Sequence, residues 1–211
     1  MPALYRRYRP KRFADVIGQP HVGEVLTNAA KQDRLAHAYL FYGPRGTGKT
    51  TLARLVAKVA NCQTRADDKK FRERGEPCNH CRSCAEIDAG RALDVVEIDA
   101  ASNRGIDEIR ALKEHASLVP ALYRFKVFIV DEAHQLTKDA FGALLKILEE
   151  PPAHVMFILA TTEYEKVLPT ITSRTQRFHL KKLPTRDVLG KLKSIAKDAK
   201  LAVSDEALEL I

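Results

Sequence analysis

Residues 43–50 read GPRGTGKT, and they stand between the apolar run AYLFY at 38–42 and a helical pattern that begins TLARLV. A strand, a glycine-rich loop and a helix in this order are typical of a P-loop, in which backbone N–H groups and the helix N-terminus surround phosphate oxygens. In such a loop Lys49 reaches the β- and γ-phosphates, and the Thr50 hydroxyl binds Mg²⁺. The stretch therefore predicts a nucleotide-binding site. Its residues are Gly43, Pro44, Arg45, Gly46, Thr47, Gly48, Lys49, Thr50 and Thr51.

Four further apolar runs are predicted to be strands, and helical patterns at 106–118 and 138–150 separate three of them. The runs cover residues 92–100, 125–133, 154–162 and 177–180. Strands that are apolar throughout and alternate with helices predict an α/β fold, with a five-stranded parallel sheet covered on both faces. Ligands of such folds bind at the carboxyl ends of the strands, where the P-loop, Asp131 and Thr162 all fall.

Four polar residues beyond the P-loop are candidates for catalysis. Asp131 ends an apolar strand, as the second carboxylate associated with Mg²⁺ does in such sites, and Glu132 is the candidate general base that activates the attacking water. Thr162 ends the next strand, where its hydroxyl either holds that water or satisfies the local backbone. Arg174 follows Ser173 in a polar stretch. It is either a solvated side chain or an arginine finger that completes the site of a neighbouring subunit.

The four cysteines of the chain lie close together in the sequence, at Cys62, Cys78, Cys81 and Cys84. In a chain without a secretory signal, clustered cysteines indicate a metal site rather than disulfides. Four thiolates suit tetrahedral Zn²⁺, and a complete set leaves no open position for catalysis. A structural zinc is therefore predicted, with free buried thiols as the alternative.

The formal net charge of +8 favours an acidic partner such as nucleic acid, although a soluble basic enzyme has the same balance. The basic N-terminal run, which could contact phosphate or be a solvated arm, contains Arg6, Arg7, Arg9, Lys11 and Arg12. Residues 102–104 (Ser-Asn-Arg) precede a helix and either bind phosphate or cap that helix. No apolar run approaches the roughly 18–20 residues of a membrane helix, so a cytoplasmic protein is expected.

Several motifs follow one another along the chain in a recognisable order. They are RPKRFADVIGQ (9–19), GPRGTGKT, the cysteine insert, VFIVDEAH (127–134), ALLKILEEPP (143–152), FILATTE (157–163) and TSRTQRF (172–178). In this order, and over nearly the whole chain, they resemble the gamma/tau subunit family of the bacterial DNA polymerase III clamp loader. The P-loop alone is generic, whereas the four-cysteine insert combined with LEEPP and the Ser-Arg pair is specific to that family.

The resemblance implies an AAA+ ATPase domain at residues 1–180, with a zinc module at about 61–91. The beginning of a small all-α lid domain is expected at 181–211. It further implies ATP, Mg²⁺ and Zn²⁺ as ligands, with Thr162 as sensor 1 and Arg174 as the finger that reaches an adjacent subunit. The adenine is expected beside Arg9, Pro10, Val16, Ile17 and Val22. The residues expected to face DNA are Ser102, Asn103 and Arg104.

The function implied by this resemblance is that of an ATP-driven motor subunit in a hetero-pentamer. It would load a ring-shaped sliding clamp onto primer–template DNA at the nucleoid of a bacterium. Weak hydrolysis is expected of the chain alone, because the finger comes from a neighbour and the lid is cut short. Two alternatives are a non-hydrolysing scaffold subunit and a hexameric AAA+ motor on branched DNA. The intact P-loop with Asp131 and Glu132 disfavours the first, and the cysteine insert disfavours the second.

Overall fold

A computed structural model describes residues 3–209 of the chain, so the outer limits of the two expected domains, residues 1 and 211, lie outside the described range. Five strands form one sheet. They are β1 (Ala38–Tyr42), β2 (Val95–Asp99), β3 (Lys126–Asp131), β4 (Val155–Thr161) and β5 (Gln176–His179). Their spatial order is β2-β3-β4-β1-β5, and every neighbouring pair is parallel. The predicted five-stranded parallel sheet is confirmed.

The strand ends differ from the apolar runs by a few residues. β2 begins only at Val95, because residues 92–95 form a turn closed by the bond from the N–H of Val95 to the carbonyl oxygen of Ala92. The buried carboxylate of Asp94 accepts the backbone N–H groups of residues 121–123 and holds the loop before β3. β4 ends at Thr161, which makes Thr162 the first residue of the following loop. The predicted strand at 154–162 is therefore one residue too long at its carboxyl end.

Helices connect the strands and cover the sheet. They are α1 (Leu4–Arg7), α2 (Pro20–Lys31), α3 (Lys49–Asn61), α4 (Gln63–Asp67), α5 (Lys69–Arg72), α6 (Arg82–Asp88), α7 (Ile106–Ser117), α8 (Lys138–Glu149), α9 (Pro169–Thr172), α10 (Thr185–Asp198) and α11 (Asp205–Glu209). Short 3-10 turns lie at Phe13–Asp15, Ala133–Gln135 and Tyr164–Lys166. The predicted helices at 106–118 and 138–150 are confirmed as α7 and α8. Within the described range, no helix is both long and apolar enough to cross a bilayer.

Each face of the sheet has its own apolar core, because successive side chains of a strand point to opposite faces. In β4, Met156 and Ile158 belong to the core that includes residues of α2 and α3. Phe157 and Leu159 belong to the core that includes residues of α7 and α8. Burial on both faces explains why β4 is apolar along its whole length.

The N-terminal segment contacts the region that follows β5. The hydroxyl of Tyr8 donates to Asp198 at the end of α10, with 2.5 Å between the oxygens. The fully buried amide of Gln19 donates to the carbonyl oxygen of Lys181 at 2.7 Å and accepts the backbone N–H of Lys181 at 3.2 Å. These bonds fix the chain between β5 and α10 beside the segment that leads into α2.

Candidate functional site

The glycine-rich loop between β1 and α3 depends on two glycines. Gly43 and Gly48 have φ angles of 144° and 101°, which residues with a Cβ rarely adopt. A Cβ on Gly43 would lie 2.2 Å from the carbonyl oxygen of Leu180, the residue after β5. The N–H of Gly43 also donates to the carbonyl oxygen of Thr161 at 3.2 Å. The loop is therefore held against the carboxyl ends of β4 and β5.

The ammonium group of Lys49 lies inside this loop. Its Nζ donates to the carbonyl oxygens of Gly43 and Pro44, both at 2.8 Å. Only 7% of Lys49 is exposed, and burial lowers its pKa, against the opposing effect of two nearby carboxylates. A cation held mainly by neutral carbonyls is well placed to pair with a phosphate oxygen.

The sheet brings the two expected Mg²⁺ ligands into contact. The hydroxyl of Thr50, in the first turn of α3, donates to Oδ2 of Asp131 at the end of β3, with 2.7 Å between the oxygens. Oδ1 of Asp131 accepts the backbone N–H of Glu132 at 2.9 Å. A hydroxyl and a carboxylate are oxygen donors of the kind that Mg²⁺ prefers. Together, Thr50 and Asp131 can hold Mg²⁺ beside the phosphates of a nucleotide.

Glu132 occupies a strained backbone position next to Asp131. Its φ of 48° is uncommon for a residue with a side chain, and such outliers are often found at functional sites. The carboxylate Oε2 accepts the hydroxyl of Thr162 at 2.9 Å, and Oε1 lies 3.9 Å from the guanidinium of Arg45. The candidate base and the candidate sensor are therefore directly bonded.

Sequence reasoning missed His134, whose ring lies beside the carboxylate of Glu132. Its Nδ1 is 3.5 Å from Oε2 of Glu132 and 2.9 Å from the hydroxyl oxygen of Thr161, while Nε2 is 3.0 Å from Oε1 of Glu163. Only 4% of the side chain of His134 is exposed. Its place two residues after Glu132 in VFIVDEAH was the available signal.

A cavity of about 390 Å³ opens above these groups. Its lining consists of Arg9, Arg45, Gly46, Gly48, Lys49, Thr50, Thr51, Asp131 and Glu132. Nη1 of Arg9 is buried and has no hydrogen-bond partner among the described residues, and burial lowers the pKa of this guanidinium. A buried cationic N–H group without a partner is costly unless an acceptor arrives. The cavity therefore fits an anionic ligand.

Of the residues expected around adenine, Arg9 alone is among those that line this cavity in the described structure. Cγ1 of Val16 lies 3.6 Å from the position that a Cβ on Gly48 would occupy, so Val16 contacts the P-loop region directly. Pro10 and Ile17 are half-buried, and Val22 is fully buried in the core next to α3. Val22 is therefore part of the core rather than of the lining of the cavity.

The four cysteines converge on one point. Their sulfur atoms all lie within 4.8 Å of one another, and the Cys78–Cys84 and Cys62–Cys81 pairs are each 4.0 Å apart. A tetrahedral zinc with Zn–S bonds of about 2.3 Å separates its sulfurs by about 3.8 Å. All four are free thiols, and the hydrogen bond from Cys84 is the main cause that lowers the pKa of Cys62 to about 4. The donor set fits Zn²⁺.

Arg174 lies at the amino ends of the strands, whereas the P-loop lies at their carboxyl ends. β5 begins at Gln176, which pairs with Tyr39 near the start of β1, whereas the P-loop follows the other end of β1. The guanidinium donates to Oε1 of Glu149 at 2.7 Å and to the carbonyl oxygen of Thr170 at 2.9 Å. The fold therefore separates Arg174 from the cavity of its own chain.

Residues 102–104 form a tight turn after β2. The hydroxyl of Ser102 donates to Oδ2 of Asp99, and the side-chain amide of Asn103 donates to the carbonyl oxygen of Asp99, both at 3.0 Å. Helix α7 begins without a side-chain cap in the described structure, so these two residues cap the strand end rather than the helix. The exposed Arg104 bonds through Nε to the carbonyl oxygen of Ala101.

The P-loop after β1, the carboxylates after β3 and the parallel sheet define a nucleotide-binding protein of the AAA+ class. A solved structure with this fold is the RuvB Holliday junction branch migration motor of Thermotoga maritima. It has a TM-score of 0.62 and 20% identity, over 96% of this chain and 58% of that one. A DNA polymerase III gamma subunit-related protein of the same organism has a TM-score of 0.51 and 25% identity, over 83% of this chain and 53% of its own.

A family model described as "DNA polymerase III, delta subunit" matches residues 18–184. The chain belongs to this family of DNA polymerase III subunits, and the resemblance drawn from the motifs is confirmed. The tau subunit of Bacillus subtilis is 48% identical over 99% of this chain and 36% of its own length. The gamma/tau subunit of Mycobacterium tuberculosis (strain H37Rv) is 47% identical over 99% of this chain and 35% of its own length. The tau subunit of Escherichia coli is 45% identical over 99% of this chain and 31% of its own length. The chain thus spans about a third of these relatives.

We expect protein purified without a chelator to contain about one zinc per chain, because the four sulfurs already have near-tetrahedral spacing. Replacing one ligand, Cys84→Ser, should reduce the zinc to near zero in elemental analysis. His80→Ala is the matched control, because His80 lies among the cysteines but outside the sulfur set. Wild-type protein that contains almost no zinc would contradict the assignment.

Proposed function

We propose that this chain is the ATP-binding and ATP-hydrolysing part of a motor subunit of the DNA polymerase III clamp loader. The observation that carries the proposal is the convergence of Lys49, Thr50, Asp131 and Glu132 around one cavity. The tau and gamma/tau names of the relatives support the assignment to that complex. The chain would act in the cytoplasm of a bacterium, at the nucleoid.

The phosphates would be bound by the loop between β1 and α3. Backbone N–H groups of the loop and of the α3 N-terminus would donate to the phosphate oxygens, and Lys49 would exchange its two carbonyl partners for the β- and γ-phosphates. Bound Mg²⁺ neutralises charge on the phosphates. Thr50 and Asp131, now bonded to each other, would both turn oxygen atoms toward the metal.

Water activation would be the task of Glu132. In the described structure its Oε2 accepts the hydroxyl of Thr162, and Nδ1 of His134 lies 3.5 Å from the same oxygen. For catalysis the carboxylate must accept a proton from, or orient, the attacking water in line with the γ-phosphate. Thr162 is then free to bind the γ-phosphate oxygens, which is the sensor role proposed for it.

The nucleoside would lie on the wall formed by the N-terminal segment. Arg9 offers a buried N–H without a partner, and Val16 presents an apolar surface beside Gly48. Pro10 and Ile17 would complete the wall, and Val22 belongs to the core. Helices α10 and α11 pack on each other after β5, and we assign them to the beginning of a lid domain at 181–211.

Hydrolysis would be completed by a neighbouring subunit. Because Arg174 lies on the sheet edge opposite its own P-loop, it can reach a phosphate only in the site of an adjacent chain. This placement supports action of Arg174 on an adjacent chain, and we propose that the assembly is a hetero-pentamer of clamp-loader subunits that acts on a sliding clamp and on primer–template DNA. Arg104, with Ser102 and Asn103, would contact the DNA phosphates.

Lys49→Ala should weaken ATP binding roughly tenfold or more, because hydrogen bonds to charged groups contribute about 1.5–3 kcal/mol. Isothermal titration with Mg²⁺–ATP measures the change. Lys138→Ala removes an exposed lysine of α8 and is the matched control, with affinity like that of the wild type. Equal affinity for the Lys49 variant and the wild type would reject the proposed site.

Arg174→Ala should lower ATP turnover of the assembled complex by about 10³-fold or more, which is the usual effect of losing an arginine finger. ATP affinity of the variant chain itself should stay unchanged, because the finger acts on a neighbour. The nearby exposed Arg177 provides the control, Arg177→Ala. Turnover by the isolated chain at the rate of the complex would refute action in trans.

Arg104→Ala should weaken DNA binding of the complex and reduce the dependence of log K on log salt by about one unit, as expected for the loss of one phosphate contact. Binding is measured as a salt titration with labelled primer–template. Arg82→Ala, in the cysteine insert, is the control for loss of one positive charge. An unchanged salt slope in the Arg104 variant would exclude this contact.

A further inference from the structure

Glu76 of the cysteine insert forms a contact that the proposed nucleotide chemistry does not use. Its Oε2 accepts the backbone N–H of Phe13 at 2.8 Å, and its Oε1 accepts the backbone N–H of Ala14 at 3.1 Å. These two residues open the 3-10 turn Phe13–Asp15, and N–H groups at the start of a helical turn lack partners within it. The carboxylate is half-buried and bonded through both oxygens.

The turn that Glu76 holds leads directly into the wall of the nucleotide cavity. Phe13 is 2% exposed and anchored in the core, and Val16, the residue after the turn, lies beside Gly48 of the P-loop. On the other side of the turn, Arg9 lines the cavity with its unpartnered Nη1. A shift of the turn would therefore move both Arg9, which lines the cavity, and Val16, which lies beside Gly48 of the P-loop.

The position of Glu76 depends in turn on the cysteines. The described backbone between α5 and α6 forms neither helix nor strand, and Cys78 follows Glu76 by two residues. Sγ of Cys78 accepts the backbone N–H of Cys81 at 3.2 Å. On the other side, a Cβ on Gly75 would lie 2.4 Å from the carbonyl oxygen of Thr27, so the segment rests closely on α2. Metal ligation by Cys78 would fix the other end of this segment.

We propose that Glu76 is a positioning residue that couples metal binding at the four cysteines to nucleotide binding at the P-loop. The proposal rests on the nucleotide and metal sites proposed above. With the cysteines ligated, the carboxylate holds the 3-10 turn, and the turn holds Val16 and Arg9 against the cavity. Because coupling between two binding sites is reciprocal, a metal that raises nucleotide affinity is itself bound more tightly, by the same factor, when nucleotide is present.

A purely structural role for the insert leads to different expectations. Other contacts of the insert stabilise the fold without involving the cavity wall, such as the ion pair of the buried Lys58 with Asp88 at 2.8 Å and the bond from Ser83 to the carbonyl oxygen of Asn61. If the insert only stabilised the fold, loss of zinc would lower the melting temperature. Zinc and nucleotide would then not change each other's affinity.

The test compares Glu76→Gln with Glu73→Gln in the intact protein. Both variants lose one negative charge from the insert, but Glu73 is exposed and only Glu76 bonds the N-terminal turn. ADP affinity is measured by titration with a fluorescent ADP analogue, with zinc bound and after chelation. Zinc content and melting temperature are recorded for each variant.

We expect Glu76→Gln to bind ADP about fivefold more weakly at full zinc content, the lower end of typical couplings between sites. Chelation should weaken ADP binding by a similar factor in the wild type and in Glu73→Gln, and should have no further effect in Glu76→Gln. The affinity for zinc, measured by competition with a chelator, should rise with ADP in the wild type but not in Glu76→Gln.

Wild-type ADP affinity in Glu76→Gln, or an equal effect of chelation in both variants, overturns the coupling while leaving the nucleotide site intact. Failure of the wild type to bind ADP or zinc would overturn the proposed sites, and the coupling with them. If Glu76→Gln does not fold, Glu76→Asp replaces it in the same measurements. This variant keeps the charge but shortens the reach, so it too should lose the ADP dependence of zinc affinity.

Discussion

The hydrogen bond from the Thr50 hydroxyl to Asp131 joins residues that are 81 positions apart. The bond and the site around it depend on one constraint, which is the parallel arrangement of the strands. In a parallel sheet all carboxyl ends meet at one edge. The order β2-β3-β4-β1-β5 places the ends of β1 and β3 on either side of β4, so the P-loop and Asp131 line one cavity and Thr162 bonds to Glu132 of its lining. The two apolar cores hold this edge rigid, because β4 is buried on both faces.

The same constraint separates Arg174 from the cavity. A parallel strand must begin at the edge opposite to its end, and Arg174 stands just before β5. Arg174 therefore lies at the opposite ends of the strands from the cavity of its own chain, whereas Arg9 and Arg45 line that cavity. The bond of Arg174 to Glu149 fixes the guanidinium at that end of the sheet.

The N-terminal segment links otherwise separate parts of the molecule. It contacts the end of α10 through Tyr8, the cysteine insert through Glu76, and the P-loop region through Val16. The insert closes on itself through four sulfurs rather than through a large apolar core, as is usual for small metal-stabilised modules. The insert contacts the rest of the chain through the packing of α6 on α3 and through Glu76, which accepts the N–H groups of the turn at Phe13–Asp15.

Local pattern determined the strands, the long helices, the P-loop and the four-cysteine set, because periodicity, glycine placement and ligand spacing are written within short stretches of sequence. The contacts of Asp94 were not predictable in this way, since its carboxylate bonds a loop 27–29 positions away. The contacts of His134 with Thr161, and of Glu76 with the turn at Phe13, likewise arise from the tertiary structure. The sequence by itself determined which chemical groups the chain has and which local structures hold them. Only the tertiary structure decided which of those groups meet, because hydrogen bonds and ion pairs act over a few ångströms between residues that the sheet and its two cores bring together.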